Sequence, residues 1–157
     1  MILYQRPGNR NFHTLNPATE QETPLVKDES VGWIFGPRYS PDGRRVAVYW
    51  NRSGGAGIWT VSPIDRAETK VFDGFAVPAG WSSDGKWIYI VEGRIPARLL
   101  AVPASGGEPR ALASLPWPFT PDNNLDCTTA DGRRFVCAVS QSSSDAWIVR
   151  NFDPDVH

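Results

Sequence analysis

Cysteine is scarce in these 157 residues, which hold only Cys127 and Cys137. Two thiols are too few for a disulfide scaffold or a four-thiolate zinc site, and no C-x-x-C pair occurs. Histidine is as rare, with His13 inside the chain and His157 at its end. One internal histidine leaves no catalytic triad to build. Long apolar runs are missing too, so nothing approaches the roughly 18 to 20 apolar residues of a membrane helix. The N-terminus has Arg6 and Arg10 and a single short apolar run, Ile2 to Tyr4, which does not read as a signal peptide. As written, the chain reads as soluble and without an export address. An excess of one charge is absent as well: 16 Lys and Arg face 17 Asp and Glu, for a formal net charge of −1. That balance offers no basic stripe for nucleic acid and no polybasic segment for a membrane surface. A nucleophile elbow G-x-S-x-G is lacking; the nearest string is Gly80-Trp81-Ser82-Ser83-Asp84. Kinase signatures are lacking also. The expectation is a chain that is not an enzyme and carries no cofactor or metal.

What is present is turn chemistry. With 14 Gly, 14 Pro and 7 Trp, 41% apolar and 21% charged residues, the composition fits many short strands joined by tight turns. One turn recurs three times, as Ser40-Pro41-Asp42-Gly43, Ser82-Ser83-Asp84-Gly85 and Thr129-Ala130-Asp131-Gly132. A basic residue follows each (Arg44, Lys86, Arg133), and then an apolar run: Val46 to Tyr49, Ile88 to Val91, Phe135 to Val139. The turn glycines are 42 and 47 residues apart, the length of a propeller blade. A second block falls into register as Phe12-His13-Thr14-Leu15, Ile58-Trp59-Thr60-Val61, Leu99-Leu100-Ala101-Val102 and Ala146-Trp147-Ile148-Val149. It begins 15, 14 and 14 residues after the three turn glycines.

The hydroxyl at the first turn position is expected to bond the backbone two residues on, Pro41 to preset φ, and the glycine to take the left-handed conformation of a bulged hairpin. The flanking strands are apolar at successive positions, as in Val46-Ala47-Val48-Tyr49 and Ile88-Tyr89-Ile90-Val91. Such strands are covered on both faces, and sheets stacked around an axis supply that cover. The fold class is therefore all-β: about three and a half β-propeller blades, each a four-stranded antiparallel sheet. Residues 1–30 are expected to form a partial blade beginning in its second strand, 31–74 and 75–115 complete blades, and 116–157 a terminal blade lacking its outer strand. That makes 14 strands, distributed 3, 4, 4 and 3.

At these residues the sequence resembles the TolB-type repeat, a WD-like β-propeller family whose repeat runs aromatic, Ser-Pro-Asp-Gly, basic residue, apolar strand. Tyr39-Ser40-Pro41-Asp42-Gly43-Arg44 matches in full, Trp81-Ser82-Ser83-Asp84-Gly85-Lys86 departs only at Ser83, and Thr128 to Arg133 lacks the aromatic and the proline. Ala104-Ser105-Gly106-Gly107-Glu108-Pro109 is similar to the family's turn into the outer strand. The resemblance implies a bacterial, often extracytoplasmic protein. It implies little about function, because the repeat is a scaffold. Such propellers bind partners in TolB-like translocation proteins, gate prolyl-oligopeptidase-like peptidases, and act as C-terminal sensors of some bacterial serine/threonine kinases. The stretch Ser144 to Phe152 resembles the last strand of the kinase-linked sensors.

Propellers act through loops at one end of the stack and through residues lining the axis. The candidate contact surface is Trp33, Phe35, Arg38, Trp117 and Phe119, since aromatic and Arg side chains anchor interfaces, although aromatics on inner strands also pack blade on blade. The structural turn residues are Ser40, Pro41, Asp42 and Gly43; Ser82, Asp84 and Gly85; Thr129, Asp131 and Gly132. His13 shares register with Trp59, Leu100 and Trp147 and reads as a packed strand residue. Asp122, Asn124 and Asp126 imitate the start of a calcium loop, but Cys127 stands where the loop needs Gly and Arg133 where it needs Glu. Cys127 and Cys137 flank a turn symmetrically, so a cross-strand pair is conceivable; the counterparts of Cys137, Val48 and Ile90, favour ordinary packing. Asn51-Arg52-Ser53 matches a glycosylation sequon and carries no weight in a bacterial protein.

Half a ring should leave an apolar face open on each terminal blade. Either a longer polypeptide supplies the remaining blades or two half-rings form a homodimer; the first is preferred. The function expected is a non-catalytic sensor or protein-docking module of a larger bacterial protein, with a protein or small ligand as partner. The rival is the substrate-gating propeller of a prolyl-oligopeptidase-like enzyme.

Overall fold

A computed structural model describes residues 1–93, 96–115, 127–129 and 134–136. Every regular element among these is a β-strand. The strands are β1 (Ile2–Tyr4), β2 (His13–Asn16), β3 (Gln21–Pro24), β4 (Ile34–Tyr39), β5 (Val46–Trp50), β6 (Gly57–Val61), β7 (Glu68–Asp73), β8 (Ala76–Trp81), β9 (Trp87–Glu92), β10 (Ala97–Pro103) and β11 (Arg110–Leu115). They form three antiparallel meanders: a three-stranded sheet β1-β2-β3 and two four-stranded sheets, β4 to β7 and β8 to β11. A bridge between Thr128 and Phe135 follows. The strands expected over 116–126 and 137–157 lie outside the described residues.

The repeated turn closes each inner hairpin by one mechanism. Ser40 donates its hydroxyl to Asp42 Oδ1 at 2.6 Å and accepts from the Arg45 N–H at 2.9 Å, while the Arg44 N–H donates to the same carboxylate at 3.1 Å. Gly43 donates to the Ser40 carbonyl at 2.8 Å with φ at +68°, a conformation a side chain resists. Around Ser82 the pattern repeats: 2.6 Å to Asp84, 2.9 Å from the Trp87 N–H, and Gly85 at +67°. Ser83 in place of proline leaves it intact. The expected bond from the hydroxyl to the backbone two residues on is corrected here. That partner is the aspartate side chain, and the backbone partner lies five residues on, because the hydroxyl sits inside the closed hairpin. Thr129 makes the same contact, accepting from the Arg134 N–H at 3.1 Å; Asp131 and Gly132 lie outside the described residues.

Apolar burial falls between sheets. Val46, Val48 and Trp50 of β5 pack with Leu25, Val26, Leu3 and Phe12 of the first sheet and its following loop. Ala47 and Tyr49, on the other face of the same strand, pack with Ala76, Trp81, Ile88, Ile90 and Leu100 of the third. Val91 and Leu99 join Ala79, Cys127 and Phe135 in the next layer. Polar clasps cross these layers. Trp81 Nε1 donates to the Arg38 carbonyl at 2.9 Å. Arg45 lies 5.2 Å over the Trp81 ring and donates to the Gly85 and Ala104 carbonyls at 3.0 and 3.3 Å. Arg52 sits 4.5 and 4.9 Å from the Trp50 and Trp59 rings and pairs with Glu68, whose other oxygen accepts from the Lys27 N–H.

The face of the first sheet that points away from the second differs from the apolar surface expected there. Tyr4 and His13 hold the places of Val48 and Trp59 in the register. The two ring nitrogens of His13 meet Glu22 at 3.1 Å and Glu29 at 3.0 Å, and Arg6 pairs with Glu22 at 2.6 Å. Ile2 remains half-exposed, but the face is largely a charged network whose members satisfy one another.

The turn aspartates also set an acid limit. Asp42 and Asp84 are held below the ordinary aspartate range, first by the serine hydroxyl and then by the backbone N–H two residues on. A folded value below the unfolded one contributes stability that is complete above the unfolded value and lost as pH falls through the folded one. The melting temperature, followed by circular dichroism, is expected to fall as the pH drops below about 4, the ordinary aspartate value. The double variant Asp42→Asn, Asp84→Asn should melt lower at pH 6 and show a shallower acid fall. An unaltered slope would count against this role for the turns.

Candidate functional site: an aromatic ridge at one end of the inner strands

The inner strands β4 and β8 end at the two serine turns, which lie close together: Pro41 Cδ is 3.8 Å from where a Cβ on Gly85 would stand. Their opposite ends begin just after Trp33 and Phe75. Each of these residues stands seven positions ahead of its turn serine, so the repeat places one large aromatic at the same end of two successive sheets. Both are exposed, Trp33 by 41% and Phe75 by 57%. Phe35 and Tyr49 connect them. Trp33 stacks on Phe35 with centroids 6.4 Å apart, Phe35 meets Tyr49 at 6.1 Å, and Tyr49 meets Phe75 edge-on at 5.0 Å.

The ridge is held from beneath. Tyr49 is buried in the layer between the second and third sheets, and Phe35 packs against it. The Trp33 N–H donates to Asn51 Oδ1 at 2.5 Å, fixing the strand start to the end of β5. Arg10 brings a cation: its guanidinium lies 5.6 Å from the Trp33 ring, and its carbonyl accepts from the Ile34 N–H at 3.0 Å. Exposed rings and a guanidinium on anchored strand ends suit a partner with apolar surface and hydrogen-bond acceptors. Among the described residues no cluster of His, Cys, Asp and Glu is of a size to hold a metal ion.

Of the five contact residues expected from sequence, Trp33 and Phe35 come together here. Arg38 lies on the same strand but near its turn end and is buried, donating to the Pro37 carbonyl at 2.8 Å. It is therefore not part of an open surface, and its carbonyl accepts from Trp81 of the neighbouring sheet. Trp117 and Phe119 lie outside the described residues, as do Asp122, Asn124, Asp126 and Cys137. Cys127 is buried. His13 is buried in the charged network of the first sheet, where Glu22 is held below the ordinary carboxylate range, chiefly by a hydrogen bond from Tyr4 and then by Arg6. Phe75, Tyr49 and Arg10 were not anticipated. The register position shared with Trp33 could have marked Phe75; Tyr49 and Arg10 reach the ridge from other segments and leave no such mark.

No family model and no curated protein matches this sequence. Solved structures do. A crystal structure of TolB from Acinetobacter baumannii superposes with a TM-score of 0.59 at 21% identity, covering 83% of this chain and 32% of that one. A putative TolB from Agrobacterium tumefaciens gives 0.45 at 25% identity, over 62% of this chain and 35% of the other. A structure from a study of two prolyl endopeptidases gives 0.52 at 14% identity, over 71% and 20%. The chain thus spans about a third of the length of the first of these. The likeness to the Acinetobacter structure establishes the fold: the sheets are blades of a partial β-propeller.

The ridge separates supporting from presented side chains, and the two should respond differently to truncation. Tyr49→Ala removes a buried ring and is expected to cost about 3 to 5 kcal/mol in urea unfolding. Trp33→Ala should cost clearly less, since part of its ring stays in contact with solvent. Equal losses would make the ridge a core feature.

Proposed function

We propose that this chain is a non-catalytic binding module, the sensor or protein-docking propeller of a larger bacterial protein. Its contact surface is the ridge of Trp33, Phe35 and Phe75 with Arg10; Trp117 and Phe119 stay candidates on sequence grounds alone. The observation that carries this reading is the pairing of two exposed aromatics on equivalent, anchored strand ends of successive blades. Rigid aromatic rings lose little entropy on contact, and aromatic and arginine side chains dominate interface energies. The TolB likeness supports a propeller fold, and the resemblance of the repeat is what suggests an extracytoplasmic setting. We read residues 1–30 as a partial blade, 31–74 and 75–115 as full blades and 116–157 as the terminal one. The remaining blades come from a longer polypeptide rather than a homodimer. The second reading, a substrate-gating propeller, has only the shared fold with the prolyl endopeptidase structure behind it. A hydrolase domain encoded in the same reading frame would establish it.

The docking reading is tested by crosslinking and affinity enrichment from bacterial extract, with the wild-type chain beside a Trp33→Ala, Phe75→Ala variant of unchanged circular dichroism. Loss of two interface anchors should lower retention of a specific partner at least about thirtyfold. Equal retention of every captured protein would overturn the assignment of the surface.

A further inference from the structure

The first sheet lacks, among the described residues, the strand that its neighbours have at the axis. In the second sheet β5 is bonded to β4 and β6, and in the third β9 is bonded to β8 and β10. The register gives β1 the same place: Tyr4 pairs with His13 as Val48 pairs with Trp59. Yet among the described residues β1 has β2 alone. Along its other edge runs a cleft of about 280 Å³, walled by Leu3–Gln5 and Phe12 on one side and by Ile34–Pro37 of β4 on the other. That is where an inner strand would sit, bonded to β1 and packed on β4 as β8 is packed on it.

A second, independent observation falls in the same layer. Tyr39 packs between the first and second sheets, and its hydroxyl is buried without a hydrogen-bond partner. Leaving a buried hydroxyl unpaired forfeits its hydrogen bond to water with nothing in return, so it marks a missing acceptor. Burial also raises the Tyr39 pKa, keeping the group a neutral donor. The repeat identifies the acceptor. Tyr39 holds the place of Trp81, immediately before the turn serine, and Trp81 donates to a carbonyl of the preceding blade's inner strand, that of Arg38, at 2.9 Å. The corresponding carbonyl for Tyr39 belongs to an inner strand of the first sheet.

We propose that this cleft is the seat of an inner β-strand that pairs antiparallel with Ile2–Tyr4, lies against β4, and offers a backbone carbonyl to Tyr39 Oη. The occupant belongs to the longer polypeptide, so the inference rests on the reading of this chain as part of a larger propeller. The length relation supports that source, since the chain covers 32% of the Acinetobacter structure. A second copy is a poorer occupant, because its described inner strands, β4 and β8, are already bonded within their own sheets. The occupant's chemistry follows from those two. Each is mainly apolar and is interrupted by a Gly and a Pro, Gly36-Pro37 and Pro78 with Gly80, where its pairing shifts register. The seat takes a short extended strand with a Gly/Pro irregularity midway, which is tolerated because this strand bonds on one side only.

The test adds a synthetic peptide of residues 75–85, Phe75 to Gly85, to the purified 157-residue chain, with a scrambled peptide as control. Hydrogen exchange of the Ile2–Tyr4 amides should slow at least about tenfold as the native-order peptide saturates, and stay unchanged with the scrambled one. Tyr39→Phe should leave the melting temperature of the chain alone unchanged or higher, yet weaken peptide binding about three- to tenfold, the worth of one hydrogen bond. Three results would overturn the proposal: unchanged exchange at millimolar peptide; amides already protected in a chain whose scattering mass is that of a dimer; or a Tyr39→Phe variant less stable than the parent. Partner enrichment lost on the ridge variant with peptide protection retained supports the docking surface and the strand seat together. Protection retained without any ridge-dependent partner supports the seat and fails the docking surface alone.

Discussion

No sheet of this chain can bury its apolar residues by itself. β5 presents Val46, Val48 and Trp50 to one side and Ala47 and Tyr49 to the other, and all five are buried. A strand of this kind is stable only between two other sheets. Fully burying one such side chain is worth about 1.5 to 3 kcal/mol, so each apolar layer outweighs any single turn or ion pair in setting how the blades stack. The architecture is a consequence of that mutual cover. It also makes the layers close to additive, each depending on its two immediate neighbours, as in other repeat folds.

The polar clasps give the layers a defined rotation. Apolar packing alone tolerates small slides between sheets, whereas the Trp81 N–H needs the Arg38 carbonyl, and Arg45 needs the Gly85 and Ala104 carbonyls, at hydrogen-bond distance. Those bonds join one blade's inner-strand end to the next blade's turns. They bring the serine turns together at one end of the stack and leave the starts of the inner strands, with Trp33 and Phe75, at the other. The ridge is thus positioned by contacts made at the far end of the same strands. Its rigidity comes from Tyr49 below it, a residue that belongs to the core.

The outward face of the first sheet has a different chemistry from the layers beside it. The outward face of the first sheet replaces the apolar pair of the second with Tyr4 and His13 and ties them to Arg6, Glu22 and Glu29. A charged network tolerates water in a way that Val48 and Trp59 would not. The inward edge of the same sheet has no such adaptation. There the cleft beside β1 and the unpaired Tyr39 hydroxyl keep the form of a site prepared for a strand.

The fold was legible because its determinants are local. A Ser-x-Asp-Gly turn closes through bonds spanning no more than five residues, and a meander pairs each strand with the next in sequence. The position of Phe75, seven residues before Ser82, was open to the same reading. Arg38 was not: an inner-strand residue of a two-sided sheet looks alike whether a neighbour covers it or not. By themselves, the residues determined the turns, the strand order and the need for cover on both faces. Only the tertiary structure decided that Arg38 is enclosed, that Arg10 and Tyr49 meet Trp33 and Phe75, and that Tyr39 lacks an acceptor. Such contacts join residues tens of positions apart, and their distances depend on the rotation between blades, which no local rule of sequence specifies.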